Sequence, residues 1–343
     1  MLNFKDVKTL LSSPKKIAII PHTNPDADAL GSSLGLMGYL SKKNHEVTVI
    51  SPTDYPKFLN WMTGHESVMV LNESNRNNIE MILLRADIIF CLDFNSLKRV
   101  DSLGPVVEES SALKMLIDHH LDPDDFADFT YASTDAAATA ELIYEFIVKL
   151  GDRELIDSSI AENLYAGIMT DTGQFKYKNT TQNVHYVTAN LMELGCDISR
   201  VGSLIYDTNS YNRLKFLGFA LSQRLTFLPE YKTAYIAINA YDLKRFNSQT
   251  GDTEGLVNYA LSLENVVLGV LITERKEGIK LSLRSKGDFS VNEIAKKHFN
   301  GGGHRNAAGG SSELPFDDTI RKFENILTEY KEELNAQVNE FTI

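Results

Sequence analysis

The chain has 343 residues, 43% of them hydrophobic and 23% charged, and a formal net charge of −12. Its length suggests two domains with separate cores, and its composition is that of a soluble globular protein. The acidic balance argues against tight binding to long duplex DNA or to an anionic membrane surface, which needs a broad basic face, but leaves room for a small anionic substrate in a local pocket.

Met1 to Leu11 mixes Lys and Asp with apolar residues and has no apolar signal core. A strand is expected at Lys16–Pro21, then a helix from about Ala29 to Lys43. Gly31, Ser32, Ser33, Gly35 and Gly38 would let that helix approach a sheet closely. Strands follow at Glu46–Ile50, Asp87–Leu92 and Lys114–Ile117, with a helix at Ile79–Leu84. From Asp135 to Leu150 the apolar residues Ala138, Leu142, Ile143, Phe146, Ile147 and Leu150 fall at helical spacing, and Ser158–Thr170 and Thr181–Leu194 read as further helices. This alternation implies an α/β fold with a doubly wound, mostly parallel sheet.

The pattern changes near Gly195. Asp197–Leu225 reads as one or two helices with much polar surface. The segments Thr233–Ile238, Val266–Thr273 and Ile279–Ser285 then alternate as strands, and Ile294–Phe299 and Phe316–Leu334 look helical, giving a smaller α+β unit. The expected division is 1–195, a helical linker 196–225, and 226–343. The two cysteines, Cys91 and Cys196, offer no disulfide framework. No apolar run reaches the roughly 18 residues needed to span a bilayer. Together these point to the cytoplasm.

Four short segments carry the chemistry: His22-Thr-Asn-Pro-Asp26-Ala-Asp28, Leu92-Asp93, Asp118-His119-His120 and Thr170-Asp171-Thr-Gly. Three of them follow an apolar run that reads as a buried strand, where an ionisable group has no packing purpose. In an open α/β sheet the ligand site lies at the carboxyl ends of the strands, so residues far apart in sequence converge there. Each segment also has an ordinary reading. Asp26 and Asp28 suit the N-cap and first turn of a helix. Asp93 could form a turn, Asp171 could end a helix, and the adjacent histidines could be surface residues. Pro25 fixes the turn and biases Asn24 toward an extended backbone. Asp118-His119-His120 offers a nitrogen ligand, a neighbour able to orient it, and a further basic group.

The set is rich in carboxylate with some imidazole, which suits Mn²⁺ or Mg²⁺ better than structural Zn²⁺. Two such cations can activate a water and stabilise both oxygens of a phosphoryl displacement. The phosphate-binding Gly-x-x-x-x-Gly-Lys-Ser/Thr loop is missing. Further on, Asn300-Gly-Gly-Gly-His304-Arg-Asn-Ala-Ala-Gly-Gly310 places five glycines in ten residues. Their N–H groups could form an anion-binding concavity, with His304, Arg305 and Arg284 adding charge or hydrogen bonds. A plain glycine hairpin is the alternative.

His-x-Asn-Pro-Asp-x-Asp-Ala (22–29), the strand-end Asp93, Asp-His-His (118–120), Gly-Ile-Met-Thr-Asp-Thr-Gly (167–173) and Gly-Gly-Gly-His (301–304) resemble the DHH phosphoesterase superfamily. The glycine motif is similar to that of its DHHA1 domain. The resemblance covers nearly the whole chain and looks most like the bifunctional oligoribonuclease and pAp-phosphatase branch. It implies two divalent cations, Mn²⁺ foremost with Mg²⁺ or Co²⁺ as alternatives. His22 and Asp26 would hold one, Asp28, His119 and Asp171 the other, with Asp93 bridging. His120 would contact the scissile phosphate, and Asn24 falls in the same catalytic motif. Arg284, His304, Gly302, Gly303 and Asn258 would bind substrate in a cleft between the domains.

The implied function is hydrolysis of short oligoribonucleotides (nanoRNA, linear dinucleotides) or 3′-phosphoadenosine 5′-phosphate, with a homodimer compatible with it. The chain departs from the pattern at one place: hydroxyl residues are expected after the third strand, where Ala136, Ala137 and Ala138 precede a lone Thr139. Runners-up are a manganese inorganic pyrophosphatase or polyphosphatase, a cyclic-dinucleotide phosphodiesterase, and a non-catalytic nucleotide-binding regulator. The basic Arg-Lys-Lys-type motif of the first is missing, and the intact ligand-type residues argue against the last.

Overall fold

The computed structural model describes residues 3–337. The chain divides after Thr208 into two compact units.

The first unit runs α1 (Phe4–Leu10), β1 (Lys16–Pro21), α2 (Ala27–Lys42), β2 (Glu46–Ser51), β3 (Met69–Val70), α3 (Arg76–Arg85), β4 (Ile88–Leu92), α4 (Gly104–Glu109), β5 (Leu113–Asp118) and β6 (Phe129–Ala132). Helices α5 (Thr139–Leu150), α6 (Ser158–Asp171), α7 (Gln182–Glu193) and α8 (Ile198–Tyr206) complete it. The strand order is β3-β2-β1-β4-β5-β6 and every pairing is parallel. The strands are apolar on both sides because both faces are covered. One face carries the large core built with α2, α5, α6 and α7, and the other a smaller core with α3 and α4. The order reverses between β1 and β4. Their carboxyl ends therefore diverge into the crevice where doubly wound sheets bind ligands.

The glycines of α2 turn out to face a helix rather than the sheet. A Cβ on Gly31 would lie 2.3 Å from the Asn163 carbonyl oxygen, and one on Gly35 2.6 Å from the Leu164 side chain, both on α6. Helix α2 also begins earlier than its apolar pattern suggests, at Ala27, because Asp26 caps it by accepting from the N–H groups of Asp28 and Ala29, both at 3.0 Å. Asp28 thus sits in the first turn, not in the preceding loop.

The second unit comprises α9 (Tyr211–Phe219), β7 (Leu225–Leu228), β8 (Thr233–Ile238), α10 (Ala240–Arg245), α11 (Leu256–Leu261), β9 (Leu268–Arg275), β10 (Gly278–Ser285), α12 (Val291–His298), β11 (Gly302–His304), β12 (Ala307–Ser312) and α13 (Phe316–Ala336). Its sheet has the order β11-β12-β10-β9-β8-β7 and is antiparallel except for β8 beside β9. Helices α12 and α13 pack on one face, and α9 and α11 on the other. The polar segment expected to bridge the domains splits, with α8 in the first unit and α9 in the second.

Candidate active site

The ends of β1, β4 and β5, the start of α2 and the end of α6 bring six acid or histidine side chains together. Asp93 is central. It follows β4, its N–H donates to the Ile117 carbonyl of β5 at 3.1 Å, and its φ of 63° is in the left-handed region. A non-glycine residue is held there only where surrounding contacts over-determine it, which is common at functional sites. Its two oxygens face different histidines. Oδ2 is 3.3 Å from His22 Nε2, and Oδ1 is 3.3 Å from His119 Nε2. His119 Nε2 also lies 3.4 Å from Asp171 Oδ2 and 3.8 Å from Asp28 Oδ2. Two groups result, His22 with Asp26 and Asp93, and Asp28 with His119 and Asp171; within each, one ligand-type atom per residue falls within 4.8 Å of the others.

The other ring nitrogens of both histidines point at carbonyls: His22 Nδ1 at Thr23 O (2.7 Å) and His119 Nδ1 at Ala136 O (3.4 Å). This leaves each Nε2 for the centre, the arrangement that orients metal-binding imidazoles. The carboxylate of Asp118 serves the second histidine instead, with Oδ1 2.7 Å from His120 Nδ1. The expectation that this acid orients the ligand histidine is therefore corrected: it orients the neighbouring ring. The strand ends at Asp118, so His119 and His120 are freed from strict alternation, and their rings meet edge to face at 75°.

Helix α5 supplies what sequence analysis missed. Its first residues donate backbone N–H groups to Asp28, Thr139 to Oδ2 at 2.7 Å and Ala140 to Oδ1 at 2.9 Å, while Thr139 Oγ1 donates to Asp93 Oδ1 at 2.9 Å. The lone hydroxyl in that segment, on Thr139, therefore makes the contact to Asp93. Glu141 steadies the turn by accepting from the Ala137 N–H at 2.7 Å. Asn179 ties it to α6, donating to Ala137 O and Asp171 O. Gly167 leaves space for the acid, since a Cβ there would lie 2.6 Å from Asp28 Oδ1. Neither Asn179 nor Glu141 stands out in the sequence, although Gly167 lies in the Gly-Ile-Met-Thr-Asp-Thr-Gly motif.

The electrostatics are those of a site short of positive charge. Burial, then the nearby Asp93, pushes Asp28 up to about 8, and burial with Asp28 and Asp26 nearby holds Asp171 well above the usual carboxylate range. Burial alone would raise Asp93, but hydrogen bonds from His119 and His22 outweigh it and hold Asp93 well below. Burial opposes the charged form of both histidines, yet their bonds to Asp93 raise them. Acids that must borrow protons are suited to divalent cations, which take the place of those protons. The donor set fits such ions, with oxygen in the majority and imidazole completing it. Asn24 is exposed, at φ 53°, and its N–H donates to Thr53 Oγ1 at 2.6 Å. Its left-handed backbone departs from the extended one expected before Pro25.

In the second unit, Arg284 of β10 is in register with Ala307 of β12 and Gly269 of β9, and Ala307 with His304 of β11. Arg284 and His304 thus share a row two strands apart, roughly 10 Å by strand spacing. Arg284 donates to Leu283 O at 3.2 Å and has no ion pair among the described residues. Helix α11, which bears Asn258, lies over Gly269, where a Cβ would come 2.9 Å from Leu261. The glycine-rich segment is a β-hairpin. A Cβ on Gly301 would strike Gly309 O at 2.0 Å, and one on Gly303 (φ 146°) Ala307 O at 2.5 Å, so these two glycines serve close strand approach. At Gly302 the nearest atom would be 3.7 Å away, so packing does not demand glycine there.

Comparison with known proteins gives the family. The DHH family, N-terminal domain, matches residues 16–168, and the DHHA1 domain matches residues 231–336. The chain is 31% identical over 319 residues to the bifunctional oligoribonuclease and PAP phosphatase NrnA of Thermus thermophilus, covering 93% of this chain and 90% of that one. It is 28% identical over 312 residues to the Bacillus subtilis protein of the same name, covering 91% and 93%. The crystal structure of an exopolyphosphatase-related protein from Bacteroides fragilis superposes with a TM-score of 0.91 at 36% identity, covering 97% of both chains. The chain therefore belongs to the DHH family of phosphoesterases, with a DHHA1 domain as its second unit.

Proposed function

We propose that this protein is a metal-dependent phosphohydrolase of short oligoribonucleotides and of 3′-phosphoadenosine 5′-phosphate, releasing mononucleotides from the first and phosphate from the second. The observation that carries this reading is Asp93, whose two oxygens each face one histidine at 3.3 Å between two separate ligand groups. His22 and Asp26 would hold one divalent cation and Asp28, His119 and Asp171 the other, with Asp93 shared. Mn²⁺ suits this mixed oxygen and imidazole set. When bound, a pair of such ions supplies an acidified water and charge stabilisation for the oxygens of the displaced phosphoryl group.

The chain's own residues do the rest. The N–H groups at the start of α5 aim Asp28 and favour its ionised form against burial, and Thr139 fixes Asp93. His120 contacts the scissile phosphate. Arg284, His304, Asn258 and the N–H groups of Gly302 and Gly303 hold a substrate phosphate, and Asn24 lies in the catalytic motif. The names of the Thermus and Bacillus relatives support this substrate class. No described helix is long and apolar enough to cross a membrane. Both cysteines are buried and free, which suits the reducing cytoplasm.

A hydrolysis panel with Mn²⁺ tests the reading: pAp, pGpG, pApA, a five-nucleotide RNA, cyclic di-AMP, pyrophosphate and a short polyphosphate. Turnover of pAp and the linear dinucleotides is expected. The description of the Bacteroides protein favours a second reading, polyphosphate hydrolysis. Cleavage of polyphosphate or pyrophosphate with none of the nucleotides would replace the first reading by the second.

A further inference from the structure

Adjacent histidines in one motif are treated very differently by their surroundings. His119 turns Nε2 onto three carboxylates. The ring of His120 lies nearly perpendicular to it, with Nδ1 on Asp118 Oδ1 at 2.7 Å, 1 Å closer than the 3.7 Å to Asp93 Oδ1. Asp118 is fully buried at the end of β5, and its other oxygen, Oδ2, has no hydrogen-bond partner among the described residues. A buried carboxylate with an unmatched oxygen is destabilising compared with an amide or an apolar side chain at the same place. Among the described residues its side-chain hydrogen bond is the one to His120.

We propose that Asp118 is a positioning residue dedicated to His120. By accepting from Nδ1–H it fixes that tautomer and ring orientation, so that Nε2 is the nitrogen offered to the substrate phosphoryl group. The logic is that of a buried acid behind a working imidazole: the acid sets which nitrogen carries the proton and where the other points. It also explains why two neighbouring histidines can divide their labour, since Nδ1 of His120 is already occupied. This inference rests on the phosphohydrolase reading for the role of His120, but the tautomer itself does not.

The test uses the full chain with D118N, D118A, H120A and D118N/H120A. Asn is isosteric and keeps an oxygen at Oδ1 without the charge, and melting temperatures establish that each variant is folded. On pAp with saturating Mn²⁺, D118N should lower kcat about 10–100-fold with KM and bound metal unchanged, the range for residues that orient a functional imidazole. The double variant should be no slower than H120A, because Asp118 acts through His120. Loss of metal in D118N would make Asp118 a ligand, and losses that multiply in the double variant would give it an independent role; either overturns the proposal. In the Mg²⁺-loaded protein, ¹⁵N NMR should show His120 as Nδ1–H in wild type and Nε2–H in D118A, and the same tautomer in both would also overturn it. If wild type hydrolysed none of the phosphate esters, the phosphohydrolase reading would fall while the NMR result still decided the Asp118–His120 pairing.

Discussion

The two units place polar groups on their sheets in opposite ways. In the first, a parallel sheet covered on both faces delivers acids and histidines from β1, β4 and β5 into one crevice, where Asp28, Asp93 and His119 are buried. Each is held by second contacts: helix N–H groups for Asp28, Thr139 for Asp93, a carbonyl for His119. In the second, a mainly antiparallel sheet carries Arg284 and His304 in one row, both partly exposed, and Arg284 is tied by a hydrogen bond to the neighbouring carbonyl. Reaction geometry needs over-determined groups, whereas phosphate recognition can use charges that keep some freedom. Removing a group should therefore be most damaging in the first unit and least connected to the fold in the second.

The largest effect is expected at Asp93, the carboxylate proposed to be shared. Asp93→Ala should lower kcat by well over 100-fold, beyond the range of groups that merely orient a ligand. At least one equivalent of bound metal should be lost while the variant remains folded. Full metal occupancy with near-normal turnover would show that Asp93 does not bridge. Next comes the helix that aims it. Thr139→Val removes the hydroxyl donated to Asp93 but keeps the N–H donated to Asp28, so a loss of about 10–100-fold in activity or metal affinity is expected. An unchanged enzyme would mean that the three alanines and Thr139 only fill space.

In the second unit, Arg284→Ala should weaken kcat/KM for pAp and dinucleotides by about 10- to 150-fold, from a charge-assisted contact of roughly 1.5–3 kcal/mol. Bis-p-nitrophenyl phosphate, which offers no second phosphate, should be hydrolysed almost as before. Equal losses on both substrates would erase the distinction between the units.

The smallest effect is on stability. Asp28, Asp171, His22 and His119 are all raised in the folded protein, so the native state holds more protons than the unfolded chain. Their stabilising contribution is complete below the unfolded values and is lost as pH rises through the folded ones, for Asp28 about 8. Asp93 is lowered and acts in the opposite sense, but only at acid pH, below the usual carboxylate range. The metal-free protein should therefore lose melting temperature between pH 5 and pH 8, and added Mn²⁺ should raise it more at pH 8 than at pH 5. A flat profile would mean that the acids are not crowded without metal.

Residue type and pattern were enough to pick out six side chains that the fold brings together. Asp93 and Asp118-His119-His120 follow apolar runs where a charge serves no packing need, and β1, β4 and β5 were legible because strands buried on both faces are continuous apolar runs. The short strands β3 and β6 were not, being too brief to show a period. The start of α5 was placed too early, at Asp135, because apolar spacing does not see where the backbone turns. What only the tertiary structure decided is who holds the ligand-type residues. The donors to Asp28 are backbone N–H groups 111 and 112 residues away, and a backbone N–H has no signature in side-chain type. That Asp118 steers His120 rather than His119 likewise depends on how the chain turns after β5. The convergence itself follows from strand order, since β1 and β4 become neighbours only when the sheet assembles with its reversal between them.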